Sequence, residues 1–241
     1  MTRDEQWLLE EKYGGLRNPR FEEDRNRLAA GEPVGYVIGW QPFLGLKIYL
    51  DSKPLIPRPE TEWWTEQLLG AFPGALRILD LCAGSGAIGC AALAKLQNAH
   101  VYFGEIDPKY EATIRKNIRE NGLDESRASI GIGDLFEPFG DMKFDVIAAN
   151  PPYIPAGRAL PGSVADHEPA KALYAGEDGL AVIRRIATEL PKHLAEGGTA
   201  WIECDRAHAD AARALFQAQG FSAEIRTDQY GEPRVIVVSF S

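Results

Sequence analysis

No run of apolar residues in this chain approaches the length needed to cross a bilayer, and stretches such as Val235 to Val238 are far too short. The amino terminus lacks a basic segment followed by an apolar one, so no export signal is read and the chain is expected to stay in the cytoplasm, away from membranes. Cysteine is scarce. Cys82, Cys90 and Cys204 show no paired metal-ligand spacing, and an odd number in an intracellular-looking chain argues for free packing thiols against a disulfide framework. His100, His167, His193 and His208 do not cluster with carboxylates or cysteines, which leaves no metal pattern. Positive charge is in short supply as well. With Lys and Arg numbering 26 against 35 Asp and Glu, the net charge of −9 weakens any proposal that the chain grips nucleic acid directly. A protein partner is easier to accommodate. Arg17, Arg20, Arg25 and Arg27 are interspersed with Glu22, Glu23 and Asp24 and read as solvated charge on a short helix. Internal repeats and low-complexity tracts are absent.

What is present is an ordinary globular composition, 45% hydrophobic and 25% charged over 241 residues, enough for one full-sized α/β core and a small appendage. Residues 1–32 carry Trp7, Leu8, Leu9, Phe21 and Leu28 among many charges. Breaks at Gly14-Gly15 and Asn18-Pro19 divide them into two short helices, a small helical cap. Residues 33–52 place Val34, Tyr36, Val37, Ile38, Leu46, Ile48 and Tyr49 around turn-like Gly39 to Gly45 and read as a β-hairpin linker. The main domain is expected over 53–241. It opens with a proline-stiffened loop, Ile56 to Glu62, leading into a helix that runs to about Leu69.

After Pro73-Gly74, strands over Arg77–Leu81 and Val101–Ile106 alternate with helices over Ile88–Leu96 and Pro108–Glu120. Further strands fit Ala128–Ile132, Phe144–Ala149 and Thr199–Glu203, with a long helix from Gly179 to about Leu194. A final hairpin pairs Ala223–Arg226 with Arg234–Phe240. Alternation of this kind predicts a seven-stranded, doubly wound α/β sheet, parallel for most of its width.

Four motifs fall at the carboxyl ends of these strands, where open α/β sheets bind ligands. In Asp80-Leu81-Cys82-Ala83-Gly84-Ser85-Gly86, an acid precedes a small-residue turn whose glycines permit close approach. The same letters satisfy the Gly-x-Gly-x-x-Gly pattern through Gly89, so a nicotinamide dinucleotide is a rival ligand. Asp80, however, suits an ammonium group better than a pyrophosphate. Glu105, about 20 residues past the glycine turn, can accept both hydroxyl hydrogens of a ribose, while Asp107 caps the helix opening at Pro108. In Gly133-Asp134-Leu135, the acid can accept an adenine amino group and Leu135 can flank the ring.

The most specific motif is Asn150-Pro151-Pro152-Tyr153. An amide nitrogen is a poor nucleophile because its lone pair is delocalised into the carbonyl. Acceptors placed on both of its N–H bonds orient it and return electron density to it. The Asn150 side-chain oxygen and the Pro151 carbonyl can serve, neither proline has a competing N–H, and Tyr153 can stack on the flat group.

In this order the motifs resemble class I S-adenosylmethionine-dependent methyltransferases acting on amide or exocyclic nitrogens. More narrowly, the chain resembles the protein-(glutamine-N5) methyltransferase family of release factor modification (PrmC or HemK). Gly31-Glu32-Pro33-Val34-Gly35-Tyr36, Leu55 to Glu62, His167-Glu168-Pro169 and Ala175 to Leu180 add to the match, which extends from about Gly31 to the end. The resemblance implies S-adenosyl-L-methionine as cofactor, held by residues Cys82 to Gly86, Glu105, Leu135 and Asn150. It also implies, as acceptor, the glutamine of the Gly-Gly-Gln loop in a peptide chain release factor. Cys82-Ala83 stands where the family usually has Gly-Thr, and the segment before Gly31 is shorter than the family's usual helical recognition domain. Other readings are glutamine methylation of a large-subunit ribosomal protein, a nucleic-acid amino-methyltransferase, and a cofactor-binding scaffold without chemistry.

Overall fold

The computed structural model describes residues 1–72 and 76–240, so the Pro73-Gly74 punctuation lies outside the described residues. Three helices come first: α1 (Arg3–Tyr13), α2 (Pro19–Ala29) and α3 (Val34–Ile38). Thr2 and Glu5 form a reciprocal capping box on α1, Gly14 ends it in the left-handed region, and Asn18 caps α2 ahead of Pro19. Leu8, Leu9, Phe21, Val37 and Ile38 gather into a separate small core.

The expected hairpin is confined to β1 (Trp40–Phe43) and β2 (Leu46–Tyr49), joined at Leu44-Gly45. Val34–Ile38, read from sequence as part of that hairpin, is the helix α3, stopped by Gly39 at φ 100. The segment lacks the polar alternation of a half-exposed strand. Tyr36, Val37 and Ile38 in succession are all buried, because α3 is wedged between the cap and the main body.

The main body runs α4 (Pro59–Gly70), β3 (Arg77–Leu81), α5 (Ala87–Lys95), β4 (His100–Glu105), α6 (Glu111–Glu120), β5 (Ala128–Ile132), β6 (Phe144–Ala149). Two single-turn helices follow, α7 (Gly162–Ala165) and α8 (Ala170–Leu173). The chain then continues through α9 (Ala181–His193), β7 (Leu194–Glu203), α10 (Ala209–Gln217), β8 (Phe221–Thr227) and β9 (Pro233–Phe240). The seven strands from β3 onward form one sheet in the order β5-β4-β3-β6-β7-β9-β8. Its first five strands are parallel, and β9 and β8 complete it in antiparallel pairing.

Side chains alternate across this sheet as strand geometry requires. Leu79, Leu81, Ile147, Ala149, Ala200 and Ile202 face α9 and α10. Ile78, Val101, Phe103, Val146, Ala148 and Trp201 face α4, α5 and α6. Helix α5 lies close to β4 because its third residue is Gly89; a Cβ there would overlap the Phe103 ring. The reversal of direction between β3-β4-β5 and β3-β6-β7 opens a crevice at the carboxyl ends of the parallel strands.

Candidate active site

A cavity of about 600 Å³ occupies that crevice. It is lined by Cys82 and Gly84 from the turn after β3, Glu105 at the end of β4, and Asp134 and Leu135 after β5. Asn150 and Pro152 after β6 complete the expected set. The four motifs therefore converge on one space although they are dispersed along the chain. Ala83, Ser85, Gly86, Pro151 and Tyr153 do not line it, and neither does Asp80.

Asp80 shares the Ile78 face of β3 and is fully buried beneath α5, where its Oδ2 accepts from the Gly89 N–H at 2.8 Å. Expected to meet an ammonium group, it instead serves as an internal cap for α5, whose N-cap residue Gly86 has no side chain to offer. Its Oδ1 is buried without a hydrogen-bond partner among the described residues, and burial pushes the carboxyl well above its ordinary range.

Glu105 is buried at the cavity wall. Its Oε2 accepts from the Gly84 N–H at 2.8 Å and its Oε1 from the Asp107 N–H at 2.9 Å, so the carboxylate is held in one orientation with further lone pairs for a ligand. Burial raises its pKa, and these backbone N–H groups work in the opposite direction. Asp107 caps the turn at Pro108, accepting from the Lys109 N–H. Cys82 and Leu135, both on the cavity, adopt left-handed backbone with φ 63 and 50. Burial pushes the Cys82 thiol far up, so it stays neutral and contributes an apolar surface.

Asp134 lines the cavity with its carboxylate already paired. Arg185 of α9, itself on the cavity, donates to both of its oxygens at 3.1 and 2.9 Å. Asn150 uses its nitrogen: Nδ2 donates to Thr61 Oγ1 at 3.2 Å, and among the described residues Oδ1 accepts no hydrogen bond. Tyr153 is half-buried and donates its hydroxyl to Glu203 Oε1 at 3.0 Å.

Several site residues carried no role in the sequence reading. Thr61 and Glu203 lie behind Asn150; Arg185 pairs with Asp134; Lys109, Tyr110 and Lys171 line the cavity. Arg58 reaches across to buried Glu168 at 2.5 Å, and the same carboxylate accepts from the Ile56 N–H at 3.2 Å. The segments Leu55 to Glu62 and His167-Glu168-Pro169, noticed in sequence only as points of resemblance, are thus tied to each other at the cavity edge. Leu55 and Pro169 contribute to its lining.

Residues 63–167 match the family model described as the methyltransferase small domain. Release factor glutamine methyltransferase of Geobacter sulfurreducens is 38% identical over 197 residues, covering 81% of this chain and 68% of that protein. The protein of the same name from Lactococcus lactis is 32% identical over 236 residues, covering 96% of this chain and 86% of its relative. A crystal structure of a methyltransferase from Pyrococcus furiosus superimposes with a TM-score of 0.61 over 90% of this chain and 97% of its own, at 18% identity, a likeness of fold. The architecture is that of the class I S-adenosylmethionine-dependent methyltransferases, and the extent and identity of the sequence matches place the chain in a definite group: it belongs to the release factor glutamine methyltransferase family.

Proposed function

We propose that this chain transfers the methyl group of S-adenosyl-L-methionine to the side-chain amide nitrogen of the glutamine in the Gly-Gly-Gln loop of a peptide chain release factor. The observation that carries this reading is the position of Asn150. It stands on the same cavity as Glu105 and Gly84, with its nitrogen engaged by Thr61 and its oxygen without a partner among the described residues. That oxygen keeps its acceptor capacity, and an amide N–H is a donor that can use it.

The cavity residues suit the cofactor. Its size lies within the range of small-molecule sites, Gly84 brings the backbone close without a Cβ, and Glu105 offers fixed acceptor lone pairs for two ribose hydroxyls. Leu135 and Ile106 supply apolar surface for the adenine ring. Asp134, whose oxygens also accept from Arg185, would take the adenine amino group with its remaining lone pairs. When bound, S-adenosyl-L-methionine supplies an electrophilic methyl group on a sulfonium sulfur. The chain has to present the nitrogen. Asn150 Oδ1 takes one amide N–H and the carbonyl of Pro151 the other, which fixes the plane of the amide and raises electron density on a nitrogen otherwise committed to resonance. Overall, one N–H becomes N–CH3, the S–CH3 bond breaks with its electron pair left on sulfur in S-adenosylhomocysteine, and one proton is released. Orientation of this kind contributes roughly 7–11 kcal/mol where it is most effective.

In this reading residues 1–32 form a cap, the hairpin joins it to the transferase domain of residues 53–241, and the enzyme works in the cytoplasm. The acceptor is a protein and not a nucleic acid, which the net charge of −9 supports. No helix among the described residues is long and apolar enough to cross a membrane. The test is transfer of label from S-adenosyl-L-methionine to a purified release factor, beside the same factor with the Gly-Gly-Gln glutamine changed to alanine. Label is expected on the first and not on the second; equal labelling of both, or of neither, overturns the proposal.

A further inference from the structure

Behind Asn150 runs a chain of hydrogen bonds that the steps above do not use. Glu203, the last residue of β7, is 1% exposed. Its Oε2 accepts from Thr61 Oγ1 and from Trp64 Nε1, each at 2.7 Å, and its Oε1 from the Tyr153 hydroxyl at 3.0 Å. Thr61 and Trp64 are three residues apart on α4, so one helical face delivers both donors. All three groups give protons to the carboxyl. Trp64 Nε1 can only donate, which makes the oxygen it shares with Thr61 an acceptor, so the Thr61 hydroxyl gives its proton to Oε2. Burial raises the Glu203 pKa, and the three donors oppose it.

This has a directional consequence. Thr61 has one hydroxyl proton and gives it to Glu203, so towards Asn150 it can only accept. The two ends of an asparagine amide are nearly the same in shape, and their hydrogen-bond partners decide which end points where. With Thr61 restricted to accepting, the Asn150 nitrogen is held inward and Oδ1 is the end presented to the cavity.

We propose that Glu203, acting through Thr61, is a positioning residue that sets the polarity of the Asn150 amide and so keeps an acceptor facing the substrate nitrogen; this rests on the methyl transfer to an amide proposed above. An Asn150 amide turned by half a rotation would face the substrate NH2 with its own NH2, donor against donor. Thr61→Val keeps the shape of the side chain and removes the hydroxyl. Without it the amide orientation is no longer dictated. Thr61→Ser keeps the hydroxyl and hence the relay.

The experiment compares wild type, Thr61→Val, Thr61→Ala, Thr61→Ser and Glu203→Gln in labelled methyl transfer to release factor, with S-adenosyl-L-methionine binding by calorimetry as the check that each variant is folded. Thr61→Val and Thr61→Ala are expected to lose about 10²-fold in kcat, the scale of a misplaced reacting group, with cofactor affinity and KM close to wild type. Thr61→Ser restores turnover, and so does Glu203→Gln, whose amide oxygen takes the place of Oε2 between Thr61 and the donor-only Trp64 N–H while its NH2 meets the Tyr153 hydroxyl. A second readout needs no acceptor protein. The Asn150 side-chain NH2 resonance, identified by its loss in Asn150→Asp, exchanges slowly with solvent in wild type and Thr61→Ser and rapidly in Thr61→Val. Unchanged exchange, or a Thr61→Val enzyme as fast as wild type, overturns the relay. A wild-type enzyme that labels no release factor counts against the proposed acceptor instead, and the exchange measurement still decides the relay.

Discussion

Cys82 occupies a backbone conformation that most side chains avoid. At φ 63 its Cβ crowds the neighbouring carbonyl, and for a residue other than glycine the left-handed region costs about 1–2 kcal/mol. Leu135, with φ 50 and also on the cavity, bears a similar cost. Strain of this sort persists where a turn must hold the backbone against a ligand. Burial leaves the Cys82 thiol neutral, so its role is to pack, and it does so against the core on the α9 side of the sheet. Replacing it by glycine relieves the strain, while the extra freedom of the unfolded chain takes back about 0.4–1 kcal/mol. Cys82→Gly is therefore expected to melt about 1–3 °C above wild type in a thermal scan, on a scale where 1 kcal/mol moves a domain of this size by a few degrees. A lower melting temperature would show that the thiol's packing outweighs the strain.

Between β6 and α9 the connection is held as a unit. Ile154 donates to Leu173 O and accepts from the Ala175 N–H, and the Ala156 N–H reaches Gly176 O, so residues after Asn150 lie alongside residues 173–176 as a short parallel bridge. Gly179, at φ 73, closes this arrangement. A Cβ there would stand 2.5 Å from the Tyr153 carbonyl oxygen and 3.0 Å from Pro155 Cδ. Gly179→Ala combines left-handed strain with a backbone clash and should cost about 2–4 kcal/mol in denaturant unfolding. Because the clash falls on Tyr153, turnover should drop by about 10²-fold while cofactor affinity, set at Glu105 and the glycine turn, stays near wild type. Loss of cofactor binding and turnover together would mean that the damage is global.

Elements of this kind also mark how far the sequence could be read. The seven strands, the glycine turn, Glu105 and Asn150 were legible because each is encoded within a few consecutive residues. Helix α3 was not, since buried Val37 and Ile38 beside Tyr36 imitate a strand when the cap that covers them is unseen. Helix α10 went unread although Ala209, Ala212 and Phe216 form its buried stripe, because alanine gives little contrast to an apolar pattern. The hidden part of the site is non-local. Thr61 is 89 residues from Asn150 and 142 from Glu203, and the packing of α4 over the adjacent strands β6 and β7 brings them together.

On the scale of the whole molecule, the cap is the part least able to stand by itself. The core it shares with α3 contains five buried apolar residues, and a segment of this size cannot bury enough surface to remain folded unaided. Ionic contacts compensate. Asp24 is gripped by Tyr13, Lys12 and Arg27. Glu32 takes two hydrogen bonds from Arg27 and one from Lys53, so that it fastens the end of the cap to the loop preceding α4. The Arg27 hydrogen bonds chiefly, with Lys53 adding to them, hold the Glu32 pKa down from its ordinary 4.5 to about 2. A depressed carboxylate pKa means that the unfolded chain binds the proton first. The stability it contributes is therefore complete above the unfolded value near 4.5 and is lost as pH falls towards about 2. Glu32→Gln removes that contribution at every pH. The gap in urea midpoint between wild type and Glu32→Gln is expected to be largest near neutrality, to hold down to about pH 5, and to narrow steadily below it. A gap that stays constant through this range would mean that Glu32 acts by shape and hydrogen bonding alone, and that the cap is held to the body by packing and not by its charge.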